Sequence, residues 1–386
     1  MNSRVQVTLG VLLSSLVVHQ AQAAFTSLYV FGDTTSTTLT NHGSIAYLYF
    51  GGRFSNGRVW VELLAQQLNL TNNYWYSNNP TNHLSYTNLS ASSTNWSYSS
   101  NNLSYFDHNS SKLVNEVSSL IAPPDASNAL FIIWVSDADL YDAIAVHNDG
   151  VNMTKWTNDI NLCISNQFKA ITNLYFAKGV RTLLMPNAVD MSEIPFFSGS
   201  SQASFIRQRC IDCNTAFDTM LSNAMVTCPG LTIYEPDFFS LLDNILANPA
   251  AYGVTNALEN GHTIDALEDP SLTDYSLNGP GANYIFWDWL DPTAKVHAIM
   301  AGLAKQLIAP VRFNQITAQN GTNQLNLTNV PVGLNGVVLG NTNLALTNWT
   351  FVANFNSTNN VLPVFVPASG PMQFYRLKFP YSWTWP

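Results

Sequence analysis

The chain is 386 residues long and carries 24 acidic against 15 basic side chains, a formal net charge of −9 that argues against a nucleic acid partner. Charged residues make up only 10% of it, whereas soluble domains usually have roughly 25%. The length leaves room for one large domain and a small one, and beyond the N-terminal segment no uninterrupted apolar stretch is long enough to cross a membrane.

The first 23 residues have the pattern of a secretory signal peptide. A single cation, Arg4, precedes an apolar run over residues 7–18, and a small-x-small cleavage site ends at Ala23. A buried N-terminal strand or a membrane anchor is the alternative, but the apolar run is shorter than the roughly 20 residues that span a bilayer. We therefore expect cleavage near Ala23 and a secreted or periplasmic protein without a transmembrane segment.

Residues 24–310 alternate short apolar runs with segments of helical periodicity. Buried strands are predicted at residues 28–31, 129–135, 180–185 and 231–234. Helices are predicted at residues 59–68, 160–178, 203–226, 238–247 and 293–308. Residues 72–111, which are crowded with Asn, Ser, Tyr and Trp, interrupt the pattern and are predicted to form a long loop at the rim. Strands and helices in alternation indicate a parallel sheet covered on both faces.

Four cysteines lie in the middle of the chain, namely Cys163, Cys210, Cys213 and Cys228. In an exported protein they favour disulfides, for which three pairings are possible, or they remain buried thiols. The Cys210-x-x-Cys213 spacing also occurs in zinc and redox sites, but no second close Cys/His pair accompanies it. No metal site is therefore predicted.

After Pro310 the pattern changes to short β-prone segments separated by Asn, Gly and Pro. Strands are predicted at residues 324–327, 336–339, 349–355, 361–366 and 374–379. We expect residues 316–386 to form a small β-rich C-terminal module.

The residues that directly follow each predicted strand are the most informative, because ligands of open α/β sheets bind at the carboxyl ends of the strands. Residues 30–38 read Val-Phe-Gly-Asp-Thr-Thr-Ser-Thr-Thr and resemble the V-F-G-D-S-L-S-D-T block of the GDSL-type (SGNH) ester hydrolases. Residues 52–62 match that family's G-R-F-S-N-G-R-V-W-V-E segment almost letter for letter. The resemblance extends over roughly residues 25–308 and implies a three-layer α/β/α fold with Thr34 at the position of the nucleophilic serine.

Three further blocks resemble the same family but carry changed side chains. Residues 95–101 are similar to N-Y-A-x-G-G-A, with Ser100 at an oxyanion glycine, and residues 135–140 are similar to I-G-x-N-D-L, with Ala138 at the oxyanion asparagine. Residues 284–293 are similar to Y-L-F-W-D-x-x-H-P-T and retain the orienting aspartate as Asp288, while Asp291 replaces the catalytic histidine. The resemblance thus implies catalytic positions at Thr34, Asp288 and Asp291, and neither a cofactor nor a metal.

These substitutions act on every part of the ester-hydrolysis chemistry, which needs a nucleophilic hydroxyl, a base near neutral pKa and donors to the oxyanion. The extra methyl group of Thr34 restricts its rotamers and crowds attack. A carboxyl such as Asp291 ordinarily has a pKa of about 3.9, against about 6.5 for histidine, and the side chain of Ala138 has no donor. We interpret His297, which lies on the helix predicted at residues 293–308, as an ordinary helix residue rather than a substitute base.

Five aspartates are expected to gather near one rim of the sheet, namely Asp33, Asp137, Asp139, Asp288 and Asp291. Clustered carboxylates bind a cation such as Ca²⁺ or act as an acid pair. We favour the alternative that Asp33 and Asp139 are structural caps and the others are solvated, because the spacing matches no metal loop.

Three hypotheses for the function follow. The first is a secreted, catalytically impaired relative of the ester hydrolases that binds an ester or glycan ligand, the glycan through the aromatic segment around Tyr74, Trp75 and Trp96. The second is a working carboxyl-ester hydrolase with Thr34 as nucleophile and Asp288 or Asp291 in an unusual arrangement. The third is a structural surface protein, which the polar tail of low charge suggests.

Overall fold

The computed structural model describes residues 25–38, 42–70, 109–147, 153–319, 321–368 and 373–379. Its centre is a four-stranded parallel sheet in the order β1-β2-β3-β4. The strands are β1 (Leu28–Gly32), β2 (Leu130–Trp134), β3 (Thr182–Leu184) and β4 (Thr232–Tyr234). All four predicted strands are therefore confirmed to within two residues at each end.

Helices cover both faces of this sheet, because alternate residues of a strand point to opposite sides. Leu28 and Val30 of β1 belong to one core cluster, whereas Tyr29 and Phe31 belong to another on the opposite face. The helices are α1 (Trp60–Gln67), α2 (Ser110–Ser119), α3 (Ser136–His147), α4 (Met153–Lys178), α5 (Pro195–Ser198), α6 (Ala203–Thr227), α7 (Phe238–Ala247) and α8 (Ala294–Ile308). Helices α1, α3, α5, α7 and α8 supply side chains to the first cluster, α2 supplies them to the second, and α4 and α6 contribute to both. The predicted fold class, a parallel α/β sheet between helical layers, is confirmed.

The sequence analysis missed three of these helices and shortened a fourth. Helices α2, α3 and α5 were not predicted, and α4 begins at Met153 rather than at residue 160. The end of the predicted loop at residues 72–111 is wrong, because α2 already begins at Ser110; residues 71–108 lie outside the described part of the chain. A short antiparallel pair, β5 (Leu258–Glu259) and β6 (His262–Thr263), lies between α7 and α8.

The C-terminal region consists of two three-stranded antiparallel sheets, ordered β11-β8-β7 and β10-β9-β12. Their strands are β7 (Arg312–Gln319), β8 (Thr322–Thr328), β9 (Gly336–Asn341), β10 (Thr350–Phe355), β11 (Val361–Pro367) and β12 (Phe374–Lys378). Of these six strands, β7 was not predicted from the sequence, whereas the other five were. A separate apolar cluster that includes Leu325, Val338 and Val364 lies in this region. None of the helices that the structure describes has both the length and the apolar character that a membrane crossing requires.

Candidate functional site

Thr34 follows the end of β1 and lies in the interior of the molecule. Asp33 caps the short 3₁₀ turn that follows, since its Oδ1 accepts the backbone N–H of Thr35 at 3.0 Å and the Thr35 hydroxyl at 2.5 Å. Asp33 and Thr34 are both buried. The prediction of Asp33 as a structural cap is consistent with these bonds, and the cap fixes the direction of the Thr34 side chain next to it.

Thr34 and Asp291 meet although 257 positions separate them. The Thr34 hydroxyl Oγ1 lies 3.0 Å from Oδ1 of Asp291 and donates to it. These are the positions that the family resemblance assigns to the nucleophile and the base. The Asp291 carboxyl group, which the resemblance places at the position of the imidazole, is therefore in hydrogen-bonding contact with the Thr34 hydroxyl.

Asp288 holds the loop before α8 rather than the side chain of Asp291. Its Oδ1 accepts the backbone N–H groups of Leu290 at 3.0 Å and Asp291 at 2.8 Å. Its Oδ2 accepts the phenol hydroxyl of Tyr49 at 2.9 Å. An aspartate that would orient an imidazole thus orients backbone instead, and Tyr49 is a site residue that the sequence analysis did not identify.

Burial dominates the electrostatics of this cluster. Burial, and then the charges of Asp288 and Asp33, raise the pKa of Asp291 well above its ordinary value. Burial likewise raises the pKa of Asp288 to about 6, and burial together with the charge of Asp33 raises that of Asp137 well above its ordinary range. The expectation that Asp137, Asp288 and Asp291 are solvated is wrong, because all three are buried. Neighbouring buried carboxyls repel one another when ionised, so the cluster retains protons to a higher pH than exposed aspartates do.

Asp139, the fifth aspartate, bonds to a helix start and not to the Thr34 and Asp291 pair. Asp139 accepts the backbone N–H of Ser110 at 2.8 Å and its hydroxyl at 3.0 Å, so it holds the beginning of α2. This agrees with its prediction as a structural cap. Among the residues that the structure describes, no group of three or more His, Cys, Asp or Glu side chains has an arrangement that would hold a metal ion.

Of the two positions that the resemblance assigns to oxyanion donors, the structure describes Ala138. Ala138 is fully buried in the first turn of α3, where its side chain has no polar atom to offer. Ser100, the other substituted oxyanion position, and the aromatic residues Tyr74, Trp75 and Trp96 lie outside the described residues.

Two buried histidines lie near these elements, and both are neutral. His297 of α8 accepts the backbone N–H of Trp60 through Nδ1 at 3.2 Å, and burial lowers its pKa to about 3. His42 stacks on Tyr49 with ring centroids 4.2 Å apart, and burial lowers its pKa to about 4. Within the described chain no histidine hydrogen-bonds Thr34, so the interpretation of His297 as a packing residue stands.

The segment of residues 52–62 fastens the loop that carries Asp291. The Ser55 hydroxyl donates to the carbonyl of Pro292 at 3.0 Å. Asn56 donates to the carbonyl of Leu277 at 2.8 Å and accepts the backbone N–H of Ala294, the first residue of α8, at 2.8 Å. Asn56 thereby satisfies an otherwise unpaired N–H at the helix start from a distant part of the chain.

A small apolar cavity lies beside the site, with a volume of about 40 Å³. Its lining includes the polar residues Thr35 and Asp137 and apolar side chains such as Trp134, Phe238, Leu242 and Met300. Because one water-sized probe needs roughly 10–15 Å³, this volume accommodates a group of about two or three heavy atoms.

The four cysteines are free, buried thiols. Of the alternatives that the sequence left open, the structure contains the buried thiols and none of the three disulfide pairings. Cys210 and Cys213 lie on α6, which corresponds to the helix predicted at residues 203–226.

The GDSL-like lipase/acylhydrolase family model matches residues 28–303. A GDSL esterase/lipase of Arabidopsis thaliana is 21% identical over 336 residues, 76% of this chain and 88% of that protein. A second one from the same plant is 30% identical over 122 residues, which spans 30% of this chain and 32% of its relative. Among solved structures, a catalytic mutant of an acetylxylan esterase from Geobacillus stearothermophilus is 10% identical with a TM-score of 0.40, covering 73% of this chain and 94% of its own.

Proposed function

Because this chain belongs to the GDSL-like lipase/acylhydrolase family, we propose that it is a secreted member whose ester-hydrolase machinery is impaired and that it binds a small ester or glycan ligand. The observation that carries the proposal is the contact between Thr34 and Asp291, in which a carboxyl occupies the position of the base. The signal-like residues 1–23 support secretion. The net charge of −9 disfavours a nucleic acid as the ligand.

The chemistry of the Thr34 and Asp291 pair explains the impairment. When Asp291 is protonated it cannot accept the hydroxyl proton, and burial beside other carboxyls keeps it protonated to a higher pH than usual. When it is ionised, it adds a buried negative charge where the oxyanion would form, which a neutral imidazole does not. Losing one member of such a catalytic set costs on the order of four to six decades in rate.

The remaining space favours a small ligand. The cavity beside Thr35 and Asp137 admits a short acyl group such as acetyl, and its apolar walls exclude water from that group. The glycan alternative relies on the aromatic residues Tyr74, Trp75 and Trp96, whose rings are of the kind that stack on sugars. We propose further that residues 24–310 form the binding domain and residues 316–386 a separate module.

The first test is the turnover of p-nitrophenyl acetate by the purified chain beside Thr34→Ala. We expect both proteins to have the same rate, equal to the background of the buffer. A combined Thr34→Ser, Asp291→His and Ala138→Asn variant restores a nucleophile, a base and a donor, and should exceed the parent by at least about 100-fold, since one oxyanion donor alone contributes 10²–10³. A parent rate that Thr34→Ala abolishes would overturn the impairment.

Binding is tested separately with p-nitroacetanilide, an amide that resists hydrolysis. Calorimetric titration should give saturable binding, and Val189→Phe, at a partly exposed position on the cavity wall, should abolish it. A melting curve of the variant verifies that it is folded. If the chain neither turns over nor binds this probe or acetylated oligosaccharides, the result would favour the hypothesis of a structural surface protein.

A second candidate function deserves the same assay because one observation favours it. The 3.0 Å contact of Thr34 with Asp291 is the geometry of a nucleophile and its base, and the raised pKa of Asp291 brings the carboxyl closer to the range of a general base. On this alternative the chain is a carboxyl-ester hydrolase with Thr34 as nucleophile. Its rate should then rise with pH and disappear in both Thr34→Ala and Asp291→Asn.

A further inference from the structure

A groove runs along one face of α8, between that helix and the C-terminal sheets. Its volume is about 500 Å³, within the range of roughly 300–1,000 Å³ that is usual for sites of small organic ligands. The α8 residues that line it recur every three or four positions and so form one stripe of the helix: Lys295, Ala298, Ile299, Gly302, Leu303 and Gln306. At 1.5 Å per residue this stripe is about 16 Å long. The groove is therefore elongated and much larger than the 40 Å³ cavity beside Thr35.

The opposite wall of this α8 groove is largely apolar and belongs to the C-terminal region. The apolar side chains that line it there include Val311, Phe313, Leu334, Leu377 and Phe379. Lys305 of α8 joins the two walls, because its Nζ donates to the carbonyl of Asn329, which lies between β8 and β9, at 2.7 Å. Small ligands bind preferentially in clefts of this kind, where two parts of a chain meet.

The charged side chains that line the α8 groove are both cations. They are Lys295 and Arg376, in a chain whose net charge is −9. The Nζ of Lys295 donates to the carbonyl of Gly253 at 2.6 Å and to Oδ1 of Asn283 at 3.0 Å, and no carboxylate of the described residues forms an ion pair with it. An ammonium group has three donors, so one remains for an anion. The charge of the groove thus favours an anionic ligand.

A buried amide in the groove wall also lacks a partner. Gln67 lines the groove, is 3% exposed, and has an Oε1 atom that accepts no hydrogen bond from the residues that the structure describes. Buried polar groups of folded proteins normally have a partner, and an amide offers both an acceptor and donors. Gln67 therefore marks a place where a polar atom of another molecule belongs.

Gly302 keeps the middle of the groove open. A Cβ atom added at this position would have no atom of the described chain within 4 Å. Glycine is among the least favoured residues in the interior of a helix, yet it stands at the centre of the lining stripe of α8. Its missing side chain leaves continuous space between the ends of the stripe.

We propose that the α8 groove binds a medium-chain fatty acid, with the carboxylate at Lys295 and the alkyl chain along α8 against the apolar C-terminal wall. Pairing of the carboxylate with the ammonium group and burial of the methylene groups supply the affinity. This site differs from the pair of Thr34 and Asp291 and does not depend on the function proposed above. Leu241 is the lining residue that the groove shares with the 40 Å³ cavity.

The experiment is a calorimetric titration of the purified full chain with decanoate at pH 7. We expect saturable binding of one decanoate per chain. Octanoate should bind about tenfold more weakly, because two fewer methylene groups are buried. Decyltrimethylammonium has a chain of the same length and the opposite charge, and it should not bind. Lys295→Met retains a long side chain without the charge and should weaken decanoate binding at least about tenfold.

Gly302 provides a matched pair of variants. Gly302→Phe places a ring in the middle of the groove and should weaken decanoate binding at least about tenfold, whereas Gly302→Ala should bind like the parent. Both replace glycine within a helix, so neither should melt below the parent. Val189→Phe, which obstructs the cavity beside Thr35, should retain decanoate binding.

Four results would overturn the proposal. They are the absence of saturable decanoate binding, equal binding by the parent and Gly302→Phe, equal affinity for decyltrimethylammonium, and loss of binding in Val189→Phe. A parent that light scattering shows to be a dimer, and that Gly302→Phe converts to a monomer, would assign the groove to a second copy of the chain and overturn the proposal as well. None of these results bears on ester turnover or on the binding of p-nitroacetanilide.

Discussion

Two regions that both match the family pattern have very different chemistry. The segment of residues 52–62 retains the family letters, and Ser55 and Asn56 in it bond to distant parts of the chain. At Thr34, Ala138 and Asp291, the positions that the resemblance assigns to catalytic groups, the side chains differ from those in the family blocks. The most specific motif of the sequence is therefore a structural one, and a strong family match does not by itself report catalysis.

The first region also explains why the second remains assembled. Ser55 and Asn56 hold the loop and helix start around Asp291 from the far side of the sequence. Asp288 pins the same loop through backbone N–H groups. The Asp291 side chain, which the resemblance places where the family has histidine, therefore lies beside Thr34 on a backbone that these other contacts hold.

The largest effect is expected from the buried ion pair of the first region. Arg53 donates to Glu62, both side chains are buried, and Glu62 also accepts the backbone N–H of Val59 at 3.0 Å at the start of α1. Glu62→Ala leaves the guanidinium buried without this carboxylate and should cost about 3–5 kcal/mol in the free energy of unfolding. Urea denaturation measures the loss.

The control for this prediction is a pair on α6 whose carboxylate side chain is exposed. Asp212 pairs with Arg209, and its side chain is 41% exposed, so Asp212→Ala should cost less than about 1 kcal/mol. Equal costs for the two variants would contradict a structural role of the segment.

Asn56 provides the next effect in size. Asn56→Ala removes the donor to Leu277 and the acceptor for Ala294, and should cost about 2–3 kcal/mol because the buried N–H of Ala294 and the partly buried carbonyl of Leu277 lose their partners. Asn56→Asp keeps an acceptor at the positive end of the α8 dipole, so it should cost less. If the two variants are equally unstable in urea, the bond to the helix start contributes nothing.

Much of the architecture was predictable, because periodicity reflects burial on one side of an element. Helix α7 was predicted with the observed ends, but α3 was missed: its first turn carries Asp137 and Asp139, and apolar side chains such as Ala138 and Leu140 are buried among acidic neighbours. A run of this kind resembles a solvated loop. Burial of these aspartates depends on the packing of several elements, which a local pattern does not contain.

The site was predictable only where a family block reported it. The contact between Thr34 and Asp291 follows from two matched blocks, although 257 positions separate them. Tyr49 lies in no matched block, and its bond to Asp288 joins residues 239 positions apart, so no local signal indicated it. The sequence also indicated charged aspartates in water, whereas the fold buries them and raises their pKa values.

The contribution of Asp291, in the second region, to the stability of the fold should change with pH in the opposite direction from that of an ordinary carboxylate. Burial, and then the charges of Asp288 and Asp33, raise the folded-state pKa of Asp291 above its unfolded value. Its protonation therefore favours folding fully below about pH 4, and this stability is lost as the pH rises toward the folded pKa. Asp291→Asn keeps an acceptor for Thr34 without the charge, so it should stabilise the chain by about 1–2 kcal/mol at pH 7 and leave it unchanged at pH 4.

Asp237 is the matched contrast for this prediction. Burial tends to raise its pKa, but hydrogen bonds from Ser240 and Asn187 lower it overall. Its contribution is present above its unfolded pKa and lost in acid, so Asp237→Asn should destabilise the chain at pH 7 more than at pH 3. The urea midpoints of both variants are measured across this pH range. If both variants lose or gain stability at the same pH values, the claim that burial raises the pKa of Asp291 is refuted.

The smallest effect is expected at the hydroxyl of Tyr49. Tyr49→Phe removes the donor to Oδ2 of Asp288 and leaves the two backbone donors to Oδ1 in place, so it should cost about 1 kcal/mol at pH 8. The pKa of Asp288 is about 6, and a hydrogen bond to an ionised carboxylate is stronger than one to a neutral carboxyl, so the cost should fall by about half at pH 5. Tyr284→Phe, at a carboxylate whose pKa is lowered, serves as the control because Asp269 stays ionised over this range. A cost for Tyr49→Phe that does not change with pH would mean that Asp288 does not change its ionisation between pH 5 and pH 8.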